Sequence, residues 1–321
     1  MPPVDDLKTE GFQIFERLAA KAGITPETCT CGAEWIKDDS NQRQIVQRYD
    51  GRDGASVVLK HVARPWDTDR FTAMLAAHQA ACDALDGVPG FSVPQILAAE
   101  AGQQAYLMCF AKGDTFLDLC RQREDHAPLL RRAGGWLAAF HGATLQGTHP
   151  FQPRFMVNHL HRLVERVESG ARRINGKQRF AAYVGRIADY APQAQGHAGR
   201  IAAKHGDLNG YNLVMAPDET AAFDFSATTP SPVGYDIARL LQSYTQMVGD
   251  LDALPKGHSV PPAAWDAFFE GYTLVPPDDP TVHFLTRVQI LTDWNRIQEH
   301  GSIANVMRFE RIKKIARQAF A

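Results

Sequence analysis

The run His205-Gly206-Asp207-Leu208-Asn209-Gly210-Tyr211-Asn212, with Asp224-Phe225-Ser226 beginning twelve residues beyond Asn212, offers oxygen-bearing side chains at a spacing that could do chemistry. An apolar run ending in Ala202-Ala203-Lys204 reads as a short strand leading into this segment. Leu213-Val214-Met215 and Ala221-Ala222-Phe223, joined across Pro217-Asp218, read as the two arms of a hairpin with Asp224 at its exit. Such a hairpin would hold Asp207, Asn212 and Asp224 on rigid backbone facing one cleft. Phosphoryl transfer suits this trio, because the protein mainly positions groups while metal ions neutralise charge on the non-bridging oxygens. The amide oxygen of Asn212 and the carboxylate of Asp224 are hard ligands of the kind Mg²⁺ takes. Asp207 is then left to accept a proton from an acceptor hydroxyl.

The pattern His-Gly-Asp-Leu-x-x-x-Asn, then Asp-Phe, then a further Asp opening a helix at Gly234-Tyr235-Asp236-Ile237-Ala238-Arg239, resembles that of the aminoglycoside phosphotransferase-like kinases, cousins of the protein kinases. The resemblance implies an α+β, bilobal protein-kinase-like fold. A small antiparallel-sheet N-lobe would occupy 1–110, with an N-terminal helix. A mostly helical C-lobe would occupy 111–321, with the catalytic hairpin at 200–226 and acceptor-binding helices after it. It also implies ATP and Mg²⁺ as cofactors and His205 and Asp236 as structural supports of the loop, Asp236 accepting hydrogen bonds from the loop backbone.

The elements that must position these groups can be read in order. Leu7, Phe12, Phe15, Leu18 and Ala19 follow helical spacing from Asp5 to Ala22, and Gly23 suits a C-cap. Strands are expected at Thr28–Trp35, Arg43–Tyr49 and Ser56–Val62, the last two joined by the turn Asp50-Gly51-Arg52-Asp53-Gly54. Three such strands match a kinase N-lobe, whose third strand carries a lysine for the α- and β-phosphates; Lys60 takes that place. Ser40 and Asn41 stand where the family has a Ser-Asn at its nucleotide loop, preceded here by Asp38 and Asp39 rather than glycine. Those carboxylates either turn outward or weaken ATP binding.

Asp69–Leu85 reads as a helix with Phe71, Met74, Leu75, His78, Cys82 and Leu85 on one face. The matching kinase helix carries a Glu that pairs with the strand lysine. Here His78 or Gln79 stands in its place, and His78 reads as a core residue in preference to a lysine partner. Ile96-Leu97 and 105–110 supply the last strands, with Met108 and Phe110 lining the adenine slot in the family reading and Ala111-Lys112-Gly113-Asp114 as the hinge. Leu137-Ala138-Ala139-Phe140-His141 resembles the family's Leu-Ala-x-Leu-His helix, making His141 a brace for the catalytic loop.

Further helices are expected at about Phe116–Cys120, Pro128–Leu145, Val157–Ser169, Gln178–Tyr190, Asp236–Val248, Pro262–Tyr272, Pro280–Gly301 and Ala304–Phe320. From 250 to 300 eight acids face three bases, which would favour a cationic acceptor. The last helix reverses the sign, with Arg308, Arg311, Lys313, Lys314 and Arg317 against Glu310, and would favour an anionic sugar or phosphate acceptor if it reaches the cleft. The balance leans to a neutral or amine-bearing polyol. Asp293 and Arg296 are three residues apart and so share a helix face, which suits a local ion pair.

A chain of 321 residues with 45% hydrophobic and 22% charged residues suits a globular protein of two lobes. A net charge of −2 disfavours nucleic acid as partner. No apolar run reaches membrane-spanning length, and the N-terminus lacks the basic and apolar regions of a signal peptide. Five scattered cysteines, with Cys29 and Cys31 too close for a plain disulfide, read as reduced thiols of a cytoplasmic protein.

The expectation is an ATP- and Mg²⁺-dependent phosphotransferase acting on a hydroxyl of a small metabolite such as an aminoglycoside, amino alcohol or sugar. Oligomeric state has no signature in the sequence. A protein kinase is disfavoured, since no Ala-Pro-Glu follows Asp224 and Ser226–Tyr235 is too short for an activation loop. The alternative is a pseudokinase-like nucleotide-binding or scaffolding module, suggested by the missing helix Glu and the Asp38-Asp39 loop.

Overall fold

The computed structural model describes residues 4–39, 41–226, 229–297 and 302–321. Ser40 and Glu299 lie outside the described residues. The chain folds into two compact units. The first comprises Met1–Gly87, Ser92–Gly113 and Ala221–Ala227, and the second comprises Val88–Phe91, Asp114–Thr220 and Thr228–Ala321. The 200–226 stretch is thereby divided: Asp207 and Asn212 belong to the second unit, Asp224 to the first.

The first unit is built on a five-stranded antiparallel sheet. Its spatial order is Cys29–Asp38, Arg43–Gly51, Ser56–Arg64, Ala105–Cys109 and Ile96–Glu100. Alternation along a strand sends successive side chains to opposite faces. Val57 and Leu59 accordingly pack with Ile14, Phe15, Leu18 and Ala19 of the helix Val4–Lys21, where the Phe15 ring stacks on Tyr49 at 3.5 Å. Val58 points to the other face and packs with Phe71, Tyr106 and Met108. Lys60, two residues on, shares that second face. The helix Thr68–Ala84 is started by the Asp67 carboxylate, which accepts the Arg70 N–H at 3.0 Å.

The second unit is mainly helical, with helices Phe116–Gln122, Ala127–Ala143, Arg154–Glu168, Lys177–Ala194, Gly234–Met247, Pro262–Gly271, Pro280–Arg296 and Ile303–Ala319. One core gathers Leu160, Phe180, Val184, Phe284, Leu291, Trp294, Ile312 and Ile315 from four of these helices. Ala127–Ala143 and Pro262–Gly271 approach so closely that a Cβ at Gly134 would lie 2.3 Å from the Phe268 carbonyl oxygen, so glycine is required there.

The strand expected to end in Ala202-Ala203-Lys204 spans Ala198–Ala202. It pairs with Gly147–Pro150 on one side and Ser231–Pro232 on the other. Leu213–Met215 pairs with Asp114–Thr115 on one edge, and the expected turn after it is closed by the Ala216 N–H donating to the Glu219 carbonyl, with the return strand at Thr220–Ala222. None of the three short partners, Gly147–Pro150, Ser231–Pro232 and Asp114–Thr115, carries a strand pattern of its own; each is recruited by pairing with a segment far along the chain. No helix among the described residues is long and apolar enough to cross a membrane.

Candidate active site

In the first unit, Lys60 faces Tyr106 across the sheet register. Its ammonium donates to Asp224 Oδ1 at 2.5 Å, and the Tyr106 hydroxyl donates to the same oxygen at 3.4 Å. Burial, reinforced by the Asp224 charge, pushes the Tyr106 phenol well above its ordinary value and keeps it a donor. Asp224 itself sits at φ +65°, in the left-handed region. The lysine that lacks a helix Glu therefore has a carboxylate partner from far along the chain.

His78 does not fill the missing place. Its Nε2 lies 2.6 Å from the Pro94 carbonyl oxygen, its ring meets Phe225 edge-on at 5.5 Å, and it is 1% exposed. Burial, the largest influence, lowers its pKa below the ordinary 6.5, so the neutral ring donates to that carbonyl.

The two acids at the turn between the first two strands both have partners. Asp39 Oδ1 accepts the N–H groups of Asn41 at 2.7 Å and Gln42 at 3.0 Å, an Asx-type turn that holds its carboxyl below the usual range. Asp38 lies 3.7 Å from Arg43 and 3.6 Å from Arg64. Asp39 is thus engaged within the loop and Asp38 by arginines of the second and third strands, and Asn41 is exposed on the loop. Met108 is buried in the sheet core, whereas Phe110 is half-buried with the Arg48 guanidinium 4.2 Å above its ring.

In the second unit the loop 205–212 is hung on Asp236, 1% exposed at the start of Gly234–Met247. Its Oδ2 accepts the His205 N–H at 2.7 Å and its Oδ1 the Gly206 N–H at 3.0 Å. His141 Nε2 lies 3.3 Å from Oδ2, and His141 Nδ1 lies 2.9 Å from the Tyr272 hydroxyl. Burial alone would push the Asp236 carboxyl up; the hydrogen bond and charge of His141, with His205 and the Gly206 N–H, outweigh it and hold the carboxyl below its ordinary value. Gly206 has φ +85°, a conformation that needs glycine. The His205 ring is buried and meets Trp136 edge-on at 6.2 Å.

This anchoring leaves the Asp207 side chain 47% exposed. Arg239 grips Oδ1 through Nε at 3.1 Å and Nη2 at 2.9 Å, while Oδ2 meets, among the described residues, Asn209 Nδ2 at 3.4 Å. Asn212 Nδ2 donates to the Asp207 carbonyl at 2.9 Å, so the amide oxygen is the atom it can offer to a cation. Among the described residues no group of three or more His, Cys, Asp or Glu could hold a metal ion. Asn212 in the second unit offers an amide oxygen and Asp224 in the first a carboxylate, each by itself a hard donor of the kind Mg²⁺ takes.

Arg239 and Tyr106 were not singled out by the sequence. Arg239 had a signal: it follows Asp236 by three residues on one helix and so shares the face that meets the loop. Tyr106 had none, since its place opposite Lys60 follows only from sheet register. Asp293 proves to be buried, with its Oδ1 accepting from Arg239 at 3.1 Å and Gln289 at 2.9 Å, and lying 3.6 Å from Arg296. Arg311 donates to the carbonyls of Thr245, Gln246 and Gly249 at the end of Gly234–Met247, a helix cap rather than a free surface charge.

The chain adopts the fold of several solved kinases. An amicoumacin kinase in complex with AMP-PNP, Ca²⁺ and Ami superposes with a TM-score of 0.59 at 14% identity, over 98% of this chain and 96% of the other. A choline/ethanolamine kinase family protein from Mesorhizobium loti gives 0.58 at 14% identity, over 96% and 94%. A macrolide 2′-phosphotransferase from Brachybacterium faecium gives 0.57 at 15% identity, over 95% and 98%. No curated protein matches the chain by sequence. The family model for the phosphotransferase enzyme family (APH) matches residues 36–270, well over half of the chain. The chain therefore belongs to the phosphotransferase enzyme family.

Proposed function

We propose that the protein is a Mg²⁺- and ATP-dependent kinase of a small hydroxylated metabolite, such as an aminoglycoside, amino alcohol or sugar. The observation that carries this reading is the Asp207 carboxylate, half-exposed on a loop whose backbone is fixed by buried Asp236. A rigid loop presenting an exposed carboxylate is what a general base for an acceptor hydroxyl requires. The neighbours whose names state a substrate act on amicoumacin, choline or ethanolamine, and macrolides, which supports a small-molecule acceptor.

In this reading Asp207 accepts the hydroxyl proton as the acceptor oxygen attacks the γ-phosphorus in line, breaking its bond to the β–γ bridging oxygen and releasing ADP. Lys60 engages the α- and β-phosphates, exchanging its contact with Asp224 for phosphate oxygens. Ser40 and Asn41 supply loop contacts to phosphate, and Met108 and Phe110 line the adenine slot. Asn212 and Asp224 would hold Mg²⁺, which supplies neutralisation of charge on the transferring group. His205 and Asp236 keep the loop from shifting while the proton moves. The lobes would be 1–110 and 111–321.

The pseudokinase alternative rested on two departures from the family pattern. Lys60 has an anionic partner in Asp224, Asp39 is engaged by its own loop and Asp38 by Arg43 and Arg64, so neither departure speaks against nucleotide binding. The test is a coupled assay of ADP release across a panel of aminoglycosides, amino alcohols and sugars with Mg²⁺-ATP. Acceptor-dependent ADP release that is lost in Asp207→Asn is the expected result. Release that survives in that variant would remove Asp207 from the mechanism.

A further inference from the structure

We infer that Arg239, carried by buried Asp293, is the positioning residue that sets which oxygen of Asp207 is presented to the acceptor hydroxyl; this rests on the reading of Asp207 as the base. Both nitrogens of the Arg239 edge, Nε and Nη2, converge on a single oxygen, Asp207 Oδ1, at 3.1 and 2.9 Å. Its third arm, Nη1, donates to Asp293 Oδ1 at 3.1 Å. A planar guanidinium whose three nitrogens are assigned in this way cannot rotate without breaking contacts at both ends. The Arg239 side chain is 19% exposed and that of Asp293 2% exposed, so the far end of the clamp is anchored where water cannot substitute for it.

The consequence is asymmetric. Oδ1 is occupied by two charge-assisted donors, whereas Oδ2 has one long contact from Asn209 at 3.4 Å. A hydroxyl approaching the half-exposed carboxylate is therefore received at Oδ2. Asp293 also offsets the charge that Arg239 brings to Asp207, leaving the three residues with one net negative charge. The arrangement follows the logic of a base oriented by a further group that does not itself touch substrate. The helices Gly234–Met247 and Pro280–Arg296 meet at this clamp, so packing between them is transmitted to the carboxylate. Arg296, 55% exposed and 3.6 Å from Asp293, lies outside it.

The experiment pairs kinetics with crystallography on the full chain. Arg239→Lys keeps a charge for Asp293 but cannot make the two-nitrogen grip. Arg239→Gln/Asp293→Asn removes both charges and avoids a buried carboxylate without a counter-charge. We expect kcat to fall about tenfold in the first and about 10²-fold in the second, the scale of a mispositioned catalytic group. The KM for ATP should stay within about threefold of wild type in both, and Arg296→Gln should leave kcat unchanged. Crystal structures of the two clamp variants should show the Asp207 carboxylate rotated from its wild-type setting. An Asp207 carboxylate superimposing on wild type in the double variant, or a wild-type kcat there, would overturn the inference. If wild type transfers phosphate to none of the acceptors, the functional reading fails, and the crystallographic comparison decides the clamp by itself.

Discussion

At Asp224 the backbone is left-handed, φ +65°, while the carboxylate is held by Lys60 and Tyr106. Asp and Asn tolerate this region better than Ala, so two substitutions separate backbone from charge. Asp224→Asn should keep the fold and raise the Mg²⁺ concentration needed for half-maximal rate by about tenfold or more, the scale of a weakened metal site. Asp224→Ala should add a loss of stability of about 1–2 kcal/mol from the strained φ. Mg²⁺ titrations and urea unfolding of both variants check this; equal Mg²⁺ dependence in Asn variant and wild type would place the cation elsewhere. Asp207→Asn keeps the side-chain shape but cannot take a proton. Its kcat should drop about 10²–10⁴-fold while nucleotide binding by calorimetry is unchanged. Asp207, Asn212 and Asp224 could be singled out in the sequence because their types and local spacing suit the proposed base and hard ligands. The partnerships of Tyr106 and Asp293 could not be, because register and tertiary packing choose them.

Among the elements, the helix Gly234–Met247 does the most positioning, and both its ends are fastened by side chains from elsewhere. At its start Asp236 accepts from two loop amides and His141. Asp236→Ala leaves three buried donors without their acceptor and should cost about 3–5 kcal/mol, the range for breaking a buried charged network. At its end Arg311 satisfies three carbonyls, and Arg311→Gln should cost about 1–3 kcal/mol without altering acceptor KM. Urea midpoints of the two variants test the ranking; an Arg311→Gln variant of wild-type stability would refute its capping role. Helices such as this were readable because Ile237, Leu240, Leu241 and Tyr244 recur at helical spacing and are buried. The strand Gly147–Pro150 was not: it is short, exposed and polar, and only its pairing with Ala198–Ala202 makes it a strand.

For the whole molecule, pH is the variable that reaches both units through imidazoles withdrawn from water, His78 buried and His283 half-buried. His78 in the first and His283 in the second are each lowered from the ordinary 6.5, by burial first of all. His283 stacks on Trp265 at 4.8 Å; the nearby charges of Arg287 and His258 depress it further, against the Pro277 carbonyl and Asp279, which raise it. Between each lowered pKa and 6.5 the unfolded chain binds protons that the folded chain does not, so stability rises with pH across that window. It is fully present above 6.5 and declines as pH falls below it. Carboxylates such as Asp236, held below their ordinary value, contribute in the same direction only at more acid pH, near and below 3.8. Urea midpoints measured from about pH 5 to about pH 7.5 should therefore fall on the acid side without help from carboxylates. His283→Gln removes one titrating ring while keeping a polar group of similar size, and its midpoint should vary less steeply with pH than wild type below 6.5. Parallel pH profiles for variant and wild type would mean that His283 protonates equally well in the folded chain, and that burial against Trp265 does not hold it neutral.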